Sequence, residues 1–475
     1  MEPASPDERY HPVKAPSGGL IKLHEGPFMK EIDSALDLLT DLIARAKRAG
    51  ADQADGVMAE GISIAHARRL GAIEKLERSE GYDLGLRVLI GKRQAMVSSN
   101  DRSPAALDAL VERAIAMAKV VPEDEYCGIA DPDEITRSWP ELDIFDPDEP
   151  SADVLIERAS RAEDSARAVE GITNSDGAEA GWSFHRVALA ASNGFAGGYA
   201  GSGHSVSVSV IAGSGDGMER EYDWSSTVYG ADLEDAALVG RRAGERAAAR
   251  LGARKPLTAR VPVVFDKRVS AGLVGHLIGA IAGPSIARGT SFLKDKLGER
   301  LFAPGISIID DPHRPRGHRS RPFDAEGLAN SRRALIDDGV LTTWLLDLRS
   351  ARRLGLKSTG HASRGTSSPP SPAPTNLYLS PGTISPEDLI GDIDSGLYIT
   401  SLMGHGVNGV TGDYSRGASG FWIEKGKITY PVNELTIAGN LIPMYAALVP
   451  ANDLEFKGGT NAPTVRIDGM TVAGG

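Results

Sequence analysis

The sequence contains little cysteine and no long apolar run. Its 475 residues include one cysteine, Cys127, so an intramolecular disulfide is impossible and a reducing, cytoplasmic compartment is favoured. A membrane-spanning helix needs about 18 or more consecutive apolar residues, and no such stretch occurs. We therefore predict a cytoplasmic protein that does not bind a membrane.

The sequence also has no excess of positive charge. It contains 52 Lys and Arg and 64 Asp and Glu residues, which gives a formal net charge of −12. Binding to nucleic-acid phosphates needs clustered basic residues, so this balance argues against a nucleic-acid partner. One basic stretch, residues 313–321, could hold an anion. Pro315 and Gly317 prevent a helix there, and a solvated loop is the simpler interpretation.

The length of the chain exceeds the size of one hydrophobic core and predicts more than one domain. Residues 1–28 are rich in proline and charge and are predicted to form a disordered extension. Residues 29–255 are predicted to form an N-terminal α+β domain, with a central subdomain from about residue 122. Residues 256–475 are predicted to form a β-rich C-terminal domain, because Lys255-Pro256 is the strongest boundary signal.

The spacing of apolar residues predicts which segments are helices and which are strands. Residues 205–210 (SVSVSV) alternate strictly, which is typical of a strand with one buried and one wet face. The Pro- and Ser-rich segment 364–376 is predicted to be a mobile loop. Helices are predicted to begin near Glu31, Ser103, Ser151, Asp232 and Asp266. Further strands are predicted at residues 83–90, 94–98 and 261–265.

Two segments resemble known nucleotide-binding or catalytic motifs. Residues 404–409 read GHGVNG, a literal GxGxxG, but the glycines that follow do not support the helix that this motif needs to bind pyrophosphate. Ser291 and Lys294 form an SxxK pair, but the downstream residues that a penicillin-binding-type hydrolase needs are not at the required positions. The simpler interpretation is a helix-capping serine and a surface lysine.

Metal-binding and nucleophile motifs are missing as well. None of the ten histidines has a second histidine four residues away with an adjacent glutamate, so two zinc ligands on one helical face are not available. No GxSxG or Walker A motif occurs. The residues therefore indicate no self-sufficient catalytic or metal site, and any catalytic zinc would need ligands from distant loops.

Four ordered blocks resemble the TldD/PmbA family. They are SFLKDKLGERLF (residues 291–302), RPFDAEG (321–327), LLDLRSARRLGLKSTGHASR (345–364) and GVNGVTGDYSRGASGFWIEKGKITYPVNELTIAGNL (406–441). Together these blocks cover most of residues 260–445. The N-terminal half resembles the family more loosely, through its first helix and residues 85–101.

Within that family the TldD type of subunit carries a zinc-binding HExxxH helix and a C-terminal cysteine, which the PmbA (TldE) type lacks. Aligning that helix with residues 271–276 puts Ala271 at the first histidine and Gly272 at the glutamate, and retains His276 alone. Cys127 lies far from the C-terminal position of a ligand. The resemblance therefore implies a PmbA-type subunit with no cofactor in this chain and zinc in its partner.

The resemblance also implies a fold and a role. The implied fold is α+β, with helices on a sheet in the N-terminal half and a barrel-like C-terminal half. The implied role is the non-catalytic subunit of a heterodimeric metalloprotease, in which a TldD-like partner supplies the zinc and unfolded peptides are the substrates. Family members are associated with peptide-antibiotic maturation and antitoxin turnover. Alone, such a chain is expected to homodimerise.

A polar loop in the last block is our candidate for the wall of a substrate chamber. The alternative is a set of turns that only closes a barrel. A loop of this kind can pair with an extended peptide through backbone groups. Its candidate residues are Asn408, Thr411, Asp413, Tyr414, Ser415 and Arg416.

Two other functional classes remain open at the level of sequence. A stand-alone metallopeptidase with unconventional ligands would contain stoichiometric zinc in the purified chain. A non-enzymatic peptide-binding scaffold would bind peptides without a TldD-like partner.

Overall fold

The computed structural model describes residues 27–474. The predicted disordered extension, residues 1–28, lies outside the described residues, except that positions 27 and 28 begin the first helix. Among the described residues, no helix is long and apolar enough to cross a membrane. The architecture is mixed α+β, as the sequence predicts.

A six-stranded antiparallel sheet organises the N-terminal half, in the order β3-β2-β1-β4-β5-β6. Its strands are β1 (Gln53–Arg69), β2 (Ala72–Ile90), β3 (Arg93–Ser99), β4 (Ile172–Ala191), β5 (Ala196–Ala212) and β6 (Glu219–Thr227). The helices are α1 (Pro27–Arg48), α2 (Pro104–Val120), α3 (Ala152–Arg167) and α4 (Ala236–Ala249). All four helices cover the same face of the sheet, since Met58 under α1 and Ile64 near α3 are even-numbered positions of one strand.

Local sequence signals account for several of these elements. Ser103 and Ser151 cap α2 and α3 by accepting hydrogen bonds from the backbone N–H groups of Ala106 and Val154, as predicted. In β5, Val206, Val208 and Val210 are buried under α3 and α4, and the serines between them are half-buried on the opposite face. The predicted alternation is therefore confirmed, and it leaves a row of serine hydroxyls on the face without helices.

A closed five-stranded barrel forms the centre of the C-terminal half. Its strands are β7 (Ala259–Phe265), β14 (Ser395–Met403), β15 (Asp413–Glu424), β16 (Lys427–Asn440) and β19 (Val465–Ala473). The barrel closes because residues 436–438 of β16 pair with residues 471–473 of β19. Helix α5 (Lys267–Ile281) follows the first barrel strand and packs Leu273, Val274 and Leu277 into the same apolar core.

A second, five-stranded sheet lies beside the barrel in the order β10-β9-β8-β13-β18. The remaining strands are β8 (Ile308–Asp311), β9 (Arg333–Asp337), β10 (Val340–Leu341), β11 (Ala362–Ser363), β12 (Ser371–Pro372), β13 (Asn376–Leu379), β17 (Leu448–Pro450) and β18 (Thr460–Asn461). The remaining α-helices are α6 (Gly283–Ala287), α7 (Leu348–Leu354), α8 (Pro386–Ile390) and α9 (Leu441–Ala446).

The two halves meet through the segment that the sequence predicts as a mobile loop. Arg364 is buried and its Nη1 donates to Oδ1 of Asp55 on the N-terminal sheet at 2.5 Å. A Cβ added at Gly85 of β2 would lie 2.0 Å from the carbonyl oxygen of Thr366, so glycine allows the segment to approach the sheet closely. The predicted mobile loop therefore begins with residues that are packed at the contact between the halves, and its last residue, Asn376, begins β13, while residues 367–369 are exposed.

Candidate functional site

A cleft of about 890 Å³ lies between the face of the N-terminal sheet that carries no helices and one end of the barrel. Ser207, Ser209 and Tyr222 line its sheet side. Gly272 of α5, Thr400 of β14 and Arg416 of β15 line its barrel side. The cleft therefore brings the predicted degenerate metal helix and one end of the predicted chamber loop together on one wall.

Two polar contacts join the walls of the cleft. Arg250, the residue directly after α4, donates to Ser419 Oγ of the barrel at 2.9 Å. Arg268 of α5 lies 3.4 Å from Glu221 of the sheet. Glu221 pairs with both arginines, so these contacts form one cluster that holds the two walls together without a ligand.

Of the residues that the structure describes, five arginines line the cleft, and four of them have carboxylate partners. The pairs are Arg68–Glu163 at 3.2 Å, Arg220–Asp176 at 2.6 Å, Arg250–Glu221 at 2.9 Å and Arg268–Asp266 at 3.3 Å. Paired guanidinium groups have most of their charge compensated and bind an added anion weakly.

Arg416 is the exception. Among residues 27–474, no carboxylate forms an ion pair with it, and its Nε is buried without a hydrogen-bond partner. The side chain is half-buried and lies close enough to Tyr414 and His276 to affect both. Burial raises the pKa of Tyr414 to about 12, although Arg416 opposes this increase. Arg416 therefore supplies an uncompensated positive charge at the barrel side of the cleft.

The three positions aligned with the metal helix all lie on α5. Ala271 is half-buried and packs against the barrel core. A Cβ added at Gly272 would lie 3.9 Å from Nη1 of Arg416 and touch nothing else within 4 Å. The His276 ring packs edge-on against Tyr414 at a centroid distance of 5.9 Å, and no described residue forms a hydrogen bond with its buried Nε2. Burial, together with Arg416, lowers the pKa of His276 and keeps the imidazole neutral.

These residues do not fit a zinc ion. Alanine and glycine offer no ligand atom, and a single imidazole does not form a stable zinc site. Within the described part of the chain, no group of three or more His, Cys, Asp or Glu side chains could hold a metal ion. Cys127 is buried beside Leu89 and Ile129, and burial raises the pKa of its thiol.

Thr400 occupies a bulge in β14. Its neighbours Ile399 and Ser401 pair with Gly420 and Ser419, so Thr400 is the extra residue between two regular pairs. Bulges redirect a side chain and are common beside functional sites. Thr400 lines the cleft, and among the described residues its buried hydroxyl has no hydrogen-bond partner.

The predicted chamber loop is a loop only in part: Asn408 and Thr411 lie in the tight connection before β15, whereas residues 413–416 belong to β15 itself. Asn408 Oδ1 accepts from the backbone N–H of Val410 at 2.9 Å, and Thr411 Oγ1 donates to Asp413 Oδ2 at 2.6 Å. The hydrogen bonds from Thr411 and Asn440 lower the pKa of Asp413. Ser415 is exposed. Of the six predicted loop residues, Arg416 is the one that lines the cleft.

The two segments that resemble nucleotide-binding or catalytic motifs have structural explanations. A Cβ at Gly406 would lie 1.6 Å from the carbonyl oxygen of Ser415, so this glycine of the GxGxxG segment permits a tight loop, and a strand follows it instead of a helix. Ser291 donates to the Ala280 carbonyl at 2.6 Å and accepts from the Leu293 N–H at 3.0 Å. The expected helix-capping role of Ser291 is wrong, because it lies in a turn, but its hydroxyl is fully used within the fold.

Sequence reasoning missed Thr400 and Arg268 as residues of the cleft. Thr400 and Ser401 interrupt the apolar run of residues 397–402, and such an interruption is a weak signal for a bulge that turns polar groups outward. Arg268 lies one turn before Gly272 on the same helix, so it could have been inferred from the placement of the metal helix.

Three sequence-family profiles match successive parts of the chain. They describe PmbA/TldA metallopeptidase domain 1 over residues 60–118, the central domain over residues 145–251 and the C-terminal domain over residues 258–474. The third profile covers both the barrel and α5.

Curated relatives match over nearly the whole chain. Metalloprotease PmbA of Escherichia coli O157:H7 is 37% identical, over 94% of this chain and 98% of that protein. A Metalloprotease PmbA homolog of Haemophilus influenzae is 34% identical, over 96% of this chain and 98% of its own length. The same Haemophilus strain has a Metalloprotease TldD homolog that is 28% identical over 55% of this chain and 58% of its own length.

Solved structures share the fold. A Bacteroides thetaiotaomicron protein described as a modulator of DNA gyrase has a TM-score of 0.86 and 26% identity, and the match covers 93% of this chain and 99% of that one. TldE from Thermococcus kodakarensis has a TM-score of 0.82 at 22% identity, over 92% and 100% of the two chains.

Proposed function

The chain belongs to the PmbA/TldA metallopeptidase family, and from this premise we propose that it is the non-catalytic subunit of a heterodimeric metalloprotease. A TldD-like subunit is the partner, and unfolded peptides are the substrates. Peptide maturation and antitoxin turnover in the cytoplasm are the processes that such an enzyme would serve.

The observation that supports this proposal is the composition of α5, whose Gly272 lines the cleft. A metallopeptidase needs two or more ligands around the zinc and a general base that activates the bound water. This chain has Ala271 and Gly272 at the aligned positions and a neutral His276 packed against Tyr414. The partner's zinc would supply the activated water when bound, and this chain's residues bind and orient the peptide.

The walls of the cleft suit that task. Ser207 and Ser209 present hydroxyls from regularly spaced strand positions, which can hydrogen-bond an extended backbone without selecting a side chain. Glu221 and Arg268 hold the two walls together before any peptide arrives, so little ordering is needed on binding. A PmbA homolog and a TldD homolog occur together in one Haemophilus strain, which is consistent with two cooperating subunits.

Zinc content and peptide cleavage of the separate and mixed subunits test the proposal. The purified chain is expected to contain far less than one zinc per molecule and to cleave no unfolded peptide. The mixture with a TldD-like subunit is expected to cleave peptides until a chelator removes the partner's zinc. Light scattering of the same samples measures whether the chain alone homodimerises and whether the mixture forms a heterodimer.

A variant at His276 provides the matched control. His276→Ala is expected to leave the activity of the mixture nearly unchanged, because one imidazole without partners is not a metal site. Tight zinc binding and peptide cleavage by the isolated chain would instead identify a stand-alone metallopeptidase. Peptide binding with no cleavage in the mixture would identify a non-enzymatic scaffold. Loss of joint activity in a folded His276→Ala variant would also contradict the proposal.

A further inference from the structure

We propose that Arg416 and Thr400 form a carboxylate-binding site that receives the C-terminal carboxylate of a peptide lying in the cleft. The site refines the proposed function, since it rests on the cleft being a peptide site, and it names the chemical group by which the peptide is held.

The charge of Arg416 is the first argument. Its guanidinium lines the cleft, while each of the other four cleft arginines has a carboxylate partner within the protein. A half-buried cation without a counter-ion is costly, and it attracts an anion more strongly than an exposed one does. Arginine also binds carboxylates through two parallel hydrogen bonds, which gives the site a preferred ligand geometry.

The hydroxyl of Thr400 is the second argument. Within residues 27–474 this buried hydroxyl has no hydrogen-bond partner, and Thr400 lies at the bulge in β14 on the same wall of the cleft as Arg416. A buried hydroxyl without a partner is uncommon, because it gives up its hydrogen bonds to water without replacement. The Thr400 hydroxyl would donate a hydrogen bond to a carboxylate oxygen.

The surface around Arg416 leaves room for the ligand. Gly272 has no side chain, and a Cβ there would already lie 3.9 Å from Nη1 of Arg416. A glutamate at this position would reach the guanidinium and occupy the site from within. The glycine therefore keeps Arg416 free for an external carboxylate.

The opposite wall indicates a ligand with one negative charge rather than a polyanion. Glu74 and Glu179 are exposed on the sheet side of the cleft, and neither forms an ion pair among the described residues. Their charges would repel a chain of phosphates. A peptide has a single terminal carboxylate, and each N-terminal cleavage product has one too, so this group can be recognised whatever the peptide sequence.

Binding of labelled peptides to the purified chain tests the inference without the partner. One short, unstructured peptide carries a free C-terminus, its twin is amidated, and a third is amidated but ends in glutamate. Amidation is expected to weaken binding about tenfold or more, because a charge-assisted hydrogen-bond pair is lost. Recovery of binding by the third peptide would show that a side-chain carboxylate serves equally well, and the terminal carboxylate would then not be the ligand.

Variants provide the controls. Gly272→Glu is expected to lower affinity for the free-acid peptide to that of the amidated one, and Thr400→Val is expected to weaken it by a smaller factor. Gly275→Glu, on an exposed position of the same helix with nothing within 4 Å, is expected to change nothing. Equal binding of the free-acid and amidated peptides by the unmodified chain, or no binding of either, would overturn the inference.

The inference and the proposed function can fail separately. A carboxylate preference in the isolated chain, together with no cleavage by the mixture, would leave the site in place and remove the protease role. Cleavage by the mixture without any carboxylate preference in the isolated chain would do the reverse.

Discussion

Replacing Asp55 by asparagine should destabilise the protein strongly, because Asp55 holds two buried guanidinium groups. Arg87 Nε donates to Asp55 Oδ2 at 2.9 Å, and Arg364 Nη1 donates to Oδ1 at 2.5 Å. The exposed fractions of the side chains are 5% for Asp55, 5% for Arg87 and 1% for Arg364. Asparagine would leave both cations without a counter-charge, and breaking a buried pair in this way costs about 3–5 kcal/mol.

The effect should also depend on pH. Burial alone would raise the pKa of Asp55, but Arg364 and Arg87 outweigh it and hold the pKa below its ordinary value. The stabilising contribution is therefore fully present above the ordinary aspartate pKa of about 3.9 and is lost as the pH falls below it. The difference between the original chain and Asp55→Asn should accordingly shrink in acid.

Urea unfolding at neutral pH measures the change, and Asp41→Asn is the control. Asp41 pairs with Arg45 at 2.7 Å on the surface of α1, where 48% of its side chain is exposed, so its loss should hardly move the midpoint. If the two variants unfold at the same urea concentration, the reasoning about the buried triad is wrong.

Two further predictions concern a buried acid and a helix contact. Burial and the neighbouring Asp324 raise the pKa of Glu326 well above its usual range. The folded state therefore holds a proton that the unfolded chain releases. As a result, the stability of the original chain should fall as the pH rises above about 4.3. Glu326→Gln should remove that slope in pH-dependent unfolding, and a slope that persists would assign it to another group. A Cβ at Gly240 of α4 would lie 2.1 Å from the Ala162 carbonyl oxygen of α3, so Gly240→Ala should destabilise by roughly 1–3 kcal/mol. Gly275→Ala, at an exposed position of α5, should instead stabilise slightly. Equal melting temperatures for the two variants would contradict the close contact between α3 and α4.

Local signals were sufficient to predict many elements of the fold. Ser103 and Ser151 identify helix starts because a cap needs no information beyond the next three residues. The alternation at residues 205–210 identifies a strand because one buried face is enough to create the pattern.

Elements whose environment is set by distant residues could not be predicted in this way. The outer half of the β1–β2 hairpin is missing from the sequence predictions, since residues 72–81 are exposed on both faces and show no alternation. Closure of the barrel depends on pairing between β16 and β19, which no local pattern reports. The packing of Arg364 and Thr366 was hidden for the same reason, because Asp55 lies 309 residues before Arg364 and Gly85 lies 281 residues before Thr366.

The candidate site shows the same division. Ala271, Gly272 and His276 share one helix, so their relation could be inferred from spacing. The lack of a carboxylate partner for Arg416 among the described residues could not be inferred from the sequence. It depends on which arginines pair with carboxylates in the folded protein. Thr400 becomes relevant through a bulge, whose position depends on the register of two strands.

The outer part of β2 bears on how this protein avoids aggregation. Residues 72–83 pair with β1 on one side, and β3 begins its pairing only at Leu84, so no strand of the described part of the chain covers the other edge of these residues. An antiparallel pairing of two copies centred on Glu77 would put Glu77 opposite itself and Glu74 opposite Glu80. Facing like charges disfavour such a pair. In this register the acidic residues disfavour stacking of two copies at neutral pH, and acidification would weaken that repulsion by neutralising them.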